Sequence, residues 1–333
     1  MKASKSQLNR LFEKFNDLTV LIIGDVMIDS YYWGSVDRIS PEAPVPIVAV
    51  EKKESRLGGA ANVALNLKAM GATPILCSVI GADEDGKELI ALTKENAQTA
   101  EGLIQSHSRK TTKKTRIIGN NHQMLRIDGE DLHDLNETEE ASFFEKIELI
   151  INSRKVDAII FEDYDKGCIT PSLIKKVVEL AAKNTIPTTV DPKKNNFINY
   201  NNVTLFKPNL KELKEGLKIE FNHRKQDELE AAIQKLEDTL RNKNTLITLS
   251  ELGVFINSPK VKYHISAHRR DITDVSGAGD TVISVATLCL ALNQDPEMIA
   301  ELSNLAGGLV CENVGVVPVD KTELLEEAIQ LFI

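Results

Sequence analysis

The chain has 333 residues, 42% hydrophobic and 27% charged, with 40 Lys+Arg against 49 Asp+Glu and a formal net charge of −9. A chain this long buries a full core without disulfide staples. Its acidity and lack of a basic tract argue against nucleic-acid binding by phosphate neutralisation, but a local field can still hold a small phosphorylated ligand.

At the N-terminus, Leu8, Leu11, Phe12 and Phe15 fall at helical spacing among Lys and Glu, which predicts an amphipathic surface helix and not a signal peptide. A buried strand over Val20–Ile23 runs into Gly24-Asp25-Val26-Met27-Ile28-Asp29. Carboxylates at the carboxyl end of a parallel strand lie where open α/β sheets take ligands. Ionised Asp29 suits a pair of sugar hydroxyls, although a solvated turn explains the same residues.

Residues 31–56 carry closely spaced prolines and end in an alternating strand. They lead through Arg56-Leu57-Gly58-Gly59-Ala60-Ala61-Asn62 into a helix over Ala60–Met70. Small residues here let the backbone approach a ligand, with Asn62 facing it, or serve tight helix–sheet packing. After a strand at Ile75–Ile80, residues 109–130 read as a hairpin turning at Gly119-Asn120-Asn121. The segments 31–56 and 109–130 are expected to form one small β-sheet over the main sheet, as a lid requires.

Strands at Ala158–Phe161, Thr188–Val190, Val203–Phe206 and Thr245–Leu249 alternate with helices at Pro171–Lys183 and Asp227–Asn242. That alternation predicts a mostly parallel sheet with helices on both faces. In Lys207-Pro208-Asn209-Leu210-Lys211-Glu212, Asn209 and Glu212 form a capping-box pair at a helix start. Thr248-Leu249-Ser250-Glu251-Leu252-Gly253 is a strand–turn. Asp274-Val275-Ser276-Gly277-Ala278-Gly279-Asp280-Thr281 then precedes the apolar run Val282–Leu292, which is too short to span a bilayer. Two glycines at a helix N-terminus gather N–H groups for a phosphate. Asp280 beside them is placed to accept a hydroxyl proton, or simply complements the helix dipole.

The four cysteines lie in or beside apolar runs, as buried reduced thiols of a cytoplasmic protein do. The six histidines show no metal-ligand spacing, and neither a P-loop nor a G-x-G-x-x-G fingerprint is present. The missing fingerprint counts against a dinucleotide-dependent oxidoreductase. A non-catalytic sugar sensor is a further alternative, against which the presence of Asp280 counts.

In this order and spacing, these motifs resemble the ribokinase (PfkB) family of carbohydrate kinases from Val20 to about Pro318. Asp274–Thr281 looks like the family's C-terminal signature and Gly58–Ala64 like its N-terminal one. The segments Arg38–Pro46, Asp163-Tyr164-Asp165-Lys166-Gly167 and Asp191-Pro192-Lys193 narrow the likeness to the heptose-7-phosphate kinase branch. The resemblance implies a single ribokinase-like domain over 1–333. It also implies ATP-dependent phosphorylation of D-glycero-β-D-manno-heptose 7-phosphate at carbon 1, on the route to ADP-heptose for lipopolysaccharide, or of another sugar phosphate or nucleoside.

It further implies Asp280 as base and Gly277, Ala278 and Gly279 as the anion cradle. Asn209 and Glu212 would hold Mg2+ through water. Leu210, Lys211, Thr248, Ser250, Glu251, Gly253, Asn304 and Gly308 would line the nucleotide. Asp29, Gly58, Gly59 and Asn62 would hold the sugar. Arg56, Lys113, Arg116, Arg126, Lys166 and Lys193 are candidates for its phosphate, two or more of them being plain lid surface. Asp274 and Ser276 would take a monovalent cation such as K+. Relatives commonly pair as homodimers through the lid strands, whose edges need cover. No H-x-G-H motif occurs, so nucleotidyl transfer is expected from another chain. The sequence departs from the pattern at Glu162, where Ser is common, at Leu249, and at Gly315-Val316.

Overall fold

The computed structural model describes residues 3–96, 99–259 and 261–333. Among these, nine strands form the larger sheet. Their order is Lys262–Ile265, Val254–Asn257, Asn244–Thr248, Leu205–Phe206, Thr188–Asp191, Ala158–Glu162, Thr19–Gly24, Thr73–Gly81 and Gly102–Ser106. Pairing is parallel from Asn244–Thr248 to Gly102–Ser106, and the two strands at the other edge are antiparallel. Successive strand residues point to opposite faces, so Val20 and Ile22 enter one apolar core while Leu21 and Ile23 enter another. Helices Ala60–Ala69, Ala278–Ala291 and Pro296–Val310 cover the first face; Glu137–Ser153, Pro171–Lys183 and Gln226–Leu240 cover the second. The inner strands Ala158–Glu162 and Thr188–Asp191 are buried at every residue, which is why such runs carry no alternating polar face.

Pro46–Gly59, Val26–Ile39, Lys113–Gly119 and His122–Gly129 make a separate four-stranded sheet in that order. Its central pair is parallel and its outer pairs antiparallel. The hairpin turns through Asn120 and Asn121, both with positive φ (49° and 63°), which Asn tolerates better than other non-glycine residues.

The N-terminal helix is Lys5–Lys14, closed by a Ser4–Gln7 capping box, and Leu8, Leu11, Phe12 and Phe15 are all buried. All four cysteines are buried and free. Among the described residues, no helix is long and apolar enough to cross a membrane. Two local expectations shift. Only Leu205–Phe206 of the run Val203–Phe206 is strand. And Asp29 does not end a central strand: only Asp25 separates Thr19–Gly24 from Val26–Ile39, and Asp29 lies inside the latter. Pairing with Arg56 and Lys114 on its two neighbours carries the chain straight from one sheet to the other.

Candidate active site

Helix Ala278–Ala291 begins at Gly277, which is left-handed at φ 81° and so turns the chain sharply into the helix. A Cβ there would meet Val316 Cγ1 at 3.0 Å and Asn62 Nδ2 at 3.2 Å. Asp280 follows in the first turn, buried. Asn62 Nδ2 donates to its Oδ2 at 2.6 Å, and the Tyr164 hydroxyl donates to its Oδ1 at 2.9 Å. Burial pushes the Asp280 carboxyl up to about 6; the Asn62 hydrogen bond opposes this, Asp191 adds to it, and Tyr164 and Lys207 oppose it. The result is a carboxylate oriented by two neutral donors and protonatable near neutrality, as a general base needs.

Gly279 faces two further charged groups, Asp191 and Lys207. A Cβ there would lie 3.5 Å from Asp191 Oδ2 and 3.7 Å from Lys207 Nζ. The buried Lys207 ammonium donates to Asp191 Oδ2 at 2.8 Å. Burial works to lower its pKa, but Asp191 and Glu212 outweigh that and keep it charged. A fixed cation thus stands beside the helix N-terminus, where a phosphoryl group gains from both.

At the end of Pro46–Gly59, Gly59 has φ 61°, and a Cβ on it would sit 2.4 Å from the Asp25 carbonyl oxygen. A Cβ on Gly58 would meet Asp29 Oδ2 at 2.2 Å. The glycines therefore make room for the Asp29 carboxylate, which Arg116 Nη1 holds at 2.5 Å. Arg116 and Arg56 flank the Tyr31 ring, at 5.2 and 5.3 Å from its centroid. Arg56 also pairs with Glu54. Lys166 pairs with Glu130 at 2.9 Å, and Lys193 with Glu212 at 2.8 Å. Two of the candidate cations point elsewhere. Lys113 is held by Asp85 and Glu88, and Arg126 is clipped to Asp128 on an exposed strand. Lys114, passed over in the sequence, lies 5.9 Å from the Tyr164 ring, its pKa lowered by burial and by Lys166 despite Asp29.

At the other end, Asn209 Oδ1 accepts from Glu212 N and Glu212 Oε2 from Asn209 N, both at 2.8 Å, so the capping box is formed. Glu212 Oε1 is taken by Lys193. Both oxygens being engaged, this carboxylate fits a hydrated Mg2+ met through water better than a bare ion. Leu210 and Lys211 open the same helix, and Asn209 is bridged to Thr248. Ser250 (φ 53°) and Gly253 (φ 89°) turn the chain around Glu251. Asn304 Nδ2 donates to the Ser266 carbonyl at 2.9 Å, and Gly308 lies against Arg270. Asp274 accepts from Ser276 N and Gly315 N, at 2.9 and 3.0 Å.

Sheet, helix and loops thus bring an oriented buried carboxylate, a glycine-opened helix N-terminus and a fixed lysine to one place, the constellation of a phosphoryl-transfer enzyme. Residues 17–322 match the pfkB family of carbohydrate kinases, and the chain belongs to that family. It is accordingly a phosphotransferase that acts on a sugar hydroxyl, with ATP as the implied donor.

Among curated relatives, a bifunctional protein HldE of Caulobacter vibrioides is 38% identical over 321 residues, covering 95% of this chain and 65% of its own length. One of Campylobacter jejuni is 41% identical over 307 residues, covering 92% and 63%. The chain therefore spans under two thirds of those relatives. Among solved structures, phosphofructokinase-2 from Escherichia coli in complex with potassium superposes with a TM-score of 0.77 at 18% identity, covering 95% of this chain and 99% of that one. Arabidopsis thaliana ribokinase complexed with ribose and ATP gives 0.70 at 15%, covering 93% and 98%. At such identities these two bear on the fold alone.

Proposed function

We propose that this kinase transfers the γ-phosphoryl group of ATP to the anomeric hydroxyl of a phosphorylated heptose, D-glycero-β-D-manno-heptose 7-phosphate, giving the 1,7-bisphosphate for ADP-heptose synthesis in the cytoplasm. The observation that carries the phosphoryl-transfer step is Asp280, buried and held by Asn62 and Tyr164 beside the N-terminus of its helix. Asp280 takes the hydroxyl proton, a contribution of about 10²–10⁴-fold. Backbone N–H groups of Gly277, Ala278 and Gly279, with Lys207, meet the charge on the transferring group. Asp29, Gly58, Gly59 and Asn62 hold the sugar. Arg56 and Arg116, against Tyr31, with Lys114 near Tyr164, gather cations around Asp29, and with Lys166 and Lys193 they favour a substrate that itself carries phosphate.

Asn209 and Glu212 would hold Mg2+ through water, and the ion would supply neutralisation of phosphate charge. Asp274 and Ser276 suit a monovalent cation such as K+. The smaller sheet acts as the lid and joins two copies as a homodimer.

ATP-dependent turnover of heptose 7-phosphate, fructose phosphates, ribose and adenosine, with the product read by NMR, tests the proposal. Formation of the 1,7-bisphosphate, reduced at least ~10²-fold in Asp280→Asn, is the expected result. Turnover restricted to another sugar would discard the heptose and keep the kinase.

A further inference from the structure

Glu162 ends the central strand Ala158–Glu162, and its side chain is wholly enclosed. Among the described residues, neither of its carboxylate oxygens has a hydrogen-bond partner. An ionised carboxylate there has given up hydration with nothing in return. Its surroundings add to the cost: oxygens of Glu162, Asp191 and Asp280 lie within 4.8 Å of one another.

The charges facing this cluster do not balance. Lys207 serves Asp191 Oδ2 at 2.8 Å, while Lys193 is 3.7 Å from Asp191 Oδ1 and 2.8 Å from Glu212 Oε1. Glu162, Asp191, Asp280 and Glu212 thus face Lys193 and Lys207. Tyr164 donates its hydroxyl to Asp280 and stays neutral, its own pKa pushed well up by burial and by Asp280. Asp280 has two donors, Asp191 has Lys207, and Glu212 has Lys193 and a backbone N–H. Glu162 has none, so it is the carboxyl on which a proton costs least.

We propose that Glu162 is a positioning residue that carries a proton at neutral pH and leaves Asp280 as the one unbalanced negative charge facing the phosphoryl group. This rests on Asp280 being the base. Burial, Asp191 and Asp280 all push the Glu162 carboxyl well above its ordinary range, against Lys193 and Lys207. A divalent ion is the rival occupant of three carboxylates, but it would sit against the two ammonium groups already on Asp191. At alkaline pH, Glu162 releases its proton to solvent, a second negative charge faces the phosphate, and transfer slows.

The test compares the full chain with Glu162→Gln, which keeps the shape of the neutral acid, and with Glu162→Ser, in case the first folds poorly. Native-minus-variant infrared spectra at pH 7.5 are expected to show a protonated carboxylic-acid band belonging to Glu162. A folded-state pKa above the unfolded one contributes stability at low pH that is lost as pH rises. The melting temperature of the variant minus that of the native chain is therefore expected to climb from pH 5 to pH 8. The alkaline fall in kcat is expected to disappear while the acid limb stays.

No acid band, or a melting difference that falls with pH, overturns the proposal. So does Mn2+ binding by the nucleotide-free native chain that is lost in Glu162→Gln, because the cluster is then a metal site. Full turnover by Asp280→Asn would instead remove the base reading, whatever the infrared band shows.

Discussion

Asp280 carries opposing influences, and the outcome sets a measurable pH. Burial, with Asp191, outweighs the Asn62 and Tyr164 hydrogen bonds and Lys207, so the carboxyl is pushed up to about 6. Because the base works only when ionised, kcat is expected to fall as pH drops through about 6. Tyr164→Phe removes a hydrogen bond that favours the ionised form, so the same limb is expected to move to higher pH. A pH–kcat series on both proteins checks this; a limb that moves down would contradict the assignment. The place of Asp280 in the first turn of a helix was legible from the glycines before it and the apolar run after it. Tyr164 and Lys207 were not given roles, because each acts across more than 70 residues of chain or from a buried strand end that no local pattern marks. The tripeptides Asp163-Tyr164-Asp165 and Lys207-Pro208-Asn209 were the available signals.

Among the elements, the two glycines at the end of Pro46–Gly59 act by what they leave out. Gly58→Ala puts a methyl group 2.2 Å from Asp29 Oδ2, so the carboxylate and the Arg116 paired with it must shift. The expected outcome is a rise in KM for the sugar on the order of tenfold, a loss near 1.4 kcal/mol, with a smaller change in kcat. Steady-state kinetics would show it, and an unchanged KM would mean that Asp29 does not touch the sugar. The helices were legible because of their 3.6-residue spacing: Pro171–Lys183 is found over the residues its periodicity indicates. The Asn120-Asn121 turn was equally plain. What alternation could not show was the passage from one sheet to the other at Asp25, since an apolar strand reads alike in either sheet. Asp29 was therefore placed on the wrong sheet.

At the level of the whole molecule, the smaller sheet and the loop before Pro46 present Ile39, Val45, Val50, Met124, Leu125 and Ile127 to solvent. So many apolar side chains on one small sheet are unusual for a monomer. A homodimer through these strands would cover them, and Leu125→Asp combined with Ile127→Asp is expected to convert a dimer to a monomer by analytical ultracentrifugation. A native chain that sediments as a monomer would end that proposal. The alternation of strands and helices showed the layered architecture, but nothing in one chain's pattern shows which exposed face meets a second copy.

Asp25 has a mechanical consequence at this scale. The chain enters the smaller sheet at Asp25, and it returns where Ala60 N–H donates to the Asp25 carbonyl oxygen. The Asp25 carboxylate receives the N–H groups of Tyr164, Lys166 and Cys168. One buried residue therefore ties both ends of the Val26–Gly59 hairpin to the segments bearing Asn62 and Tyr164. A displacement of that hairpin by a ligand would be felt at the same anchor that carries both side chains hydrogen-bonded to Asp280.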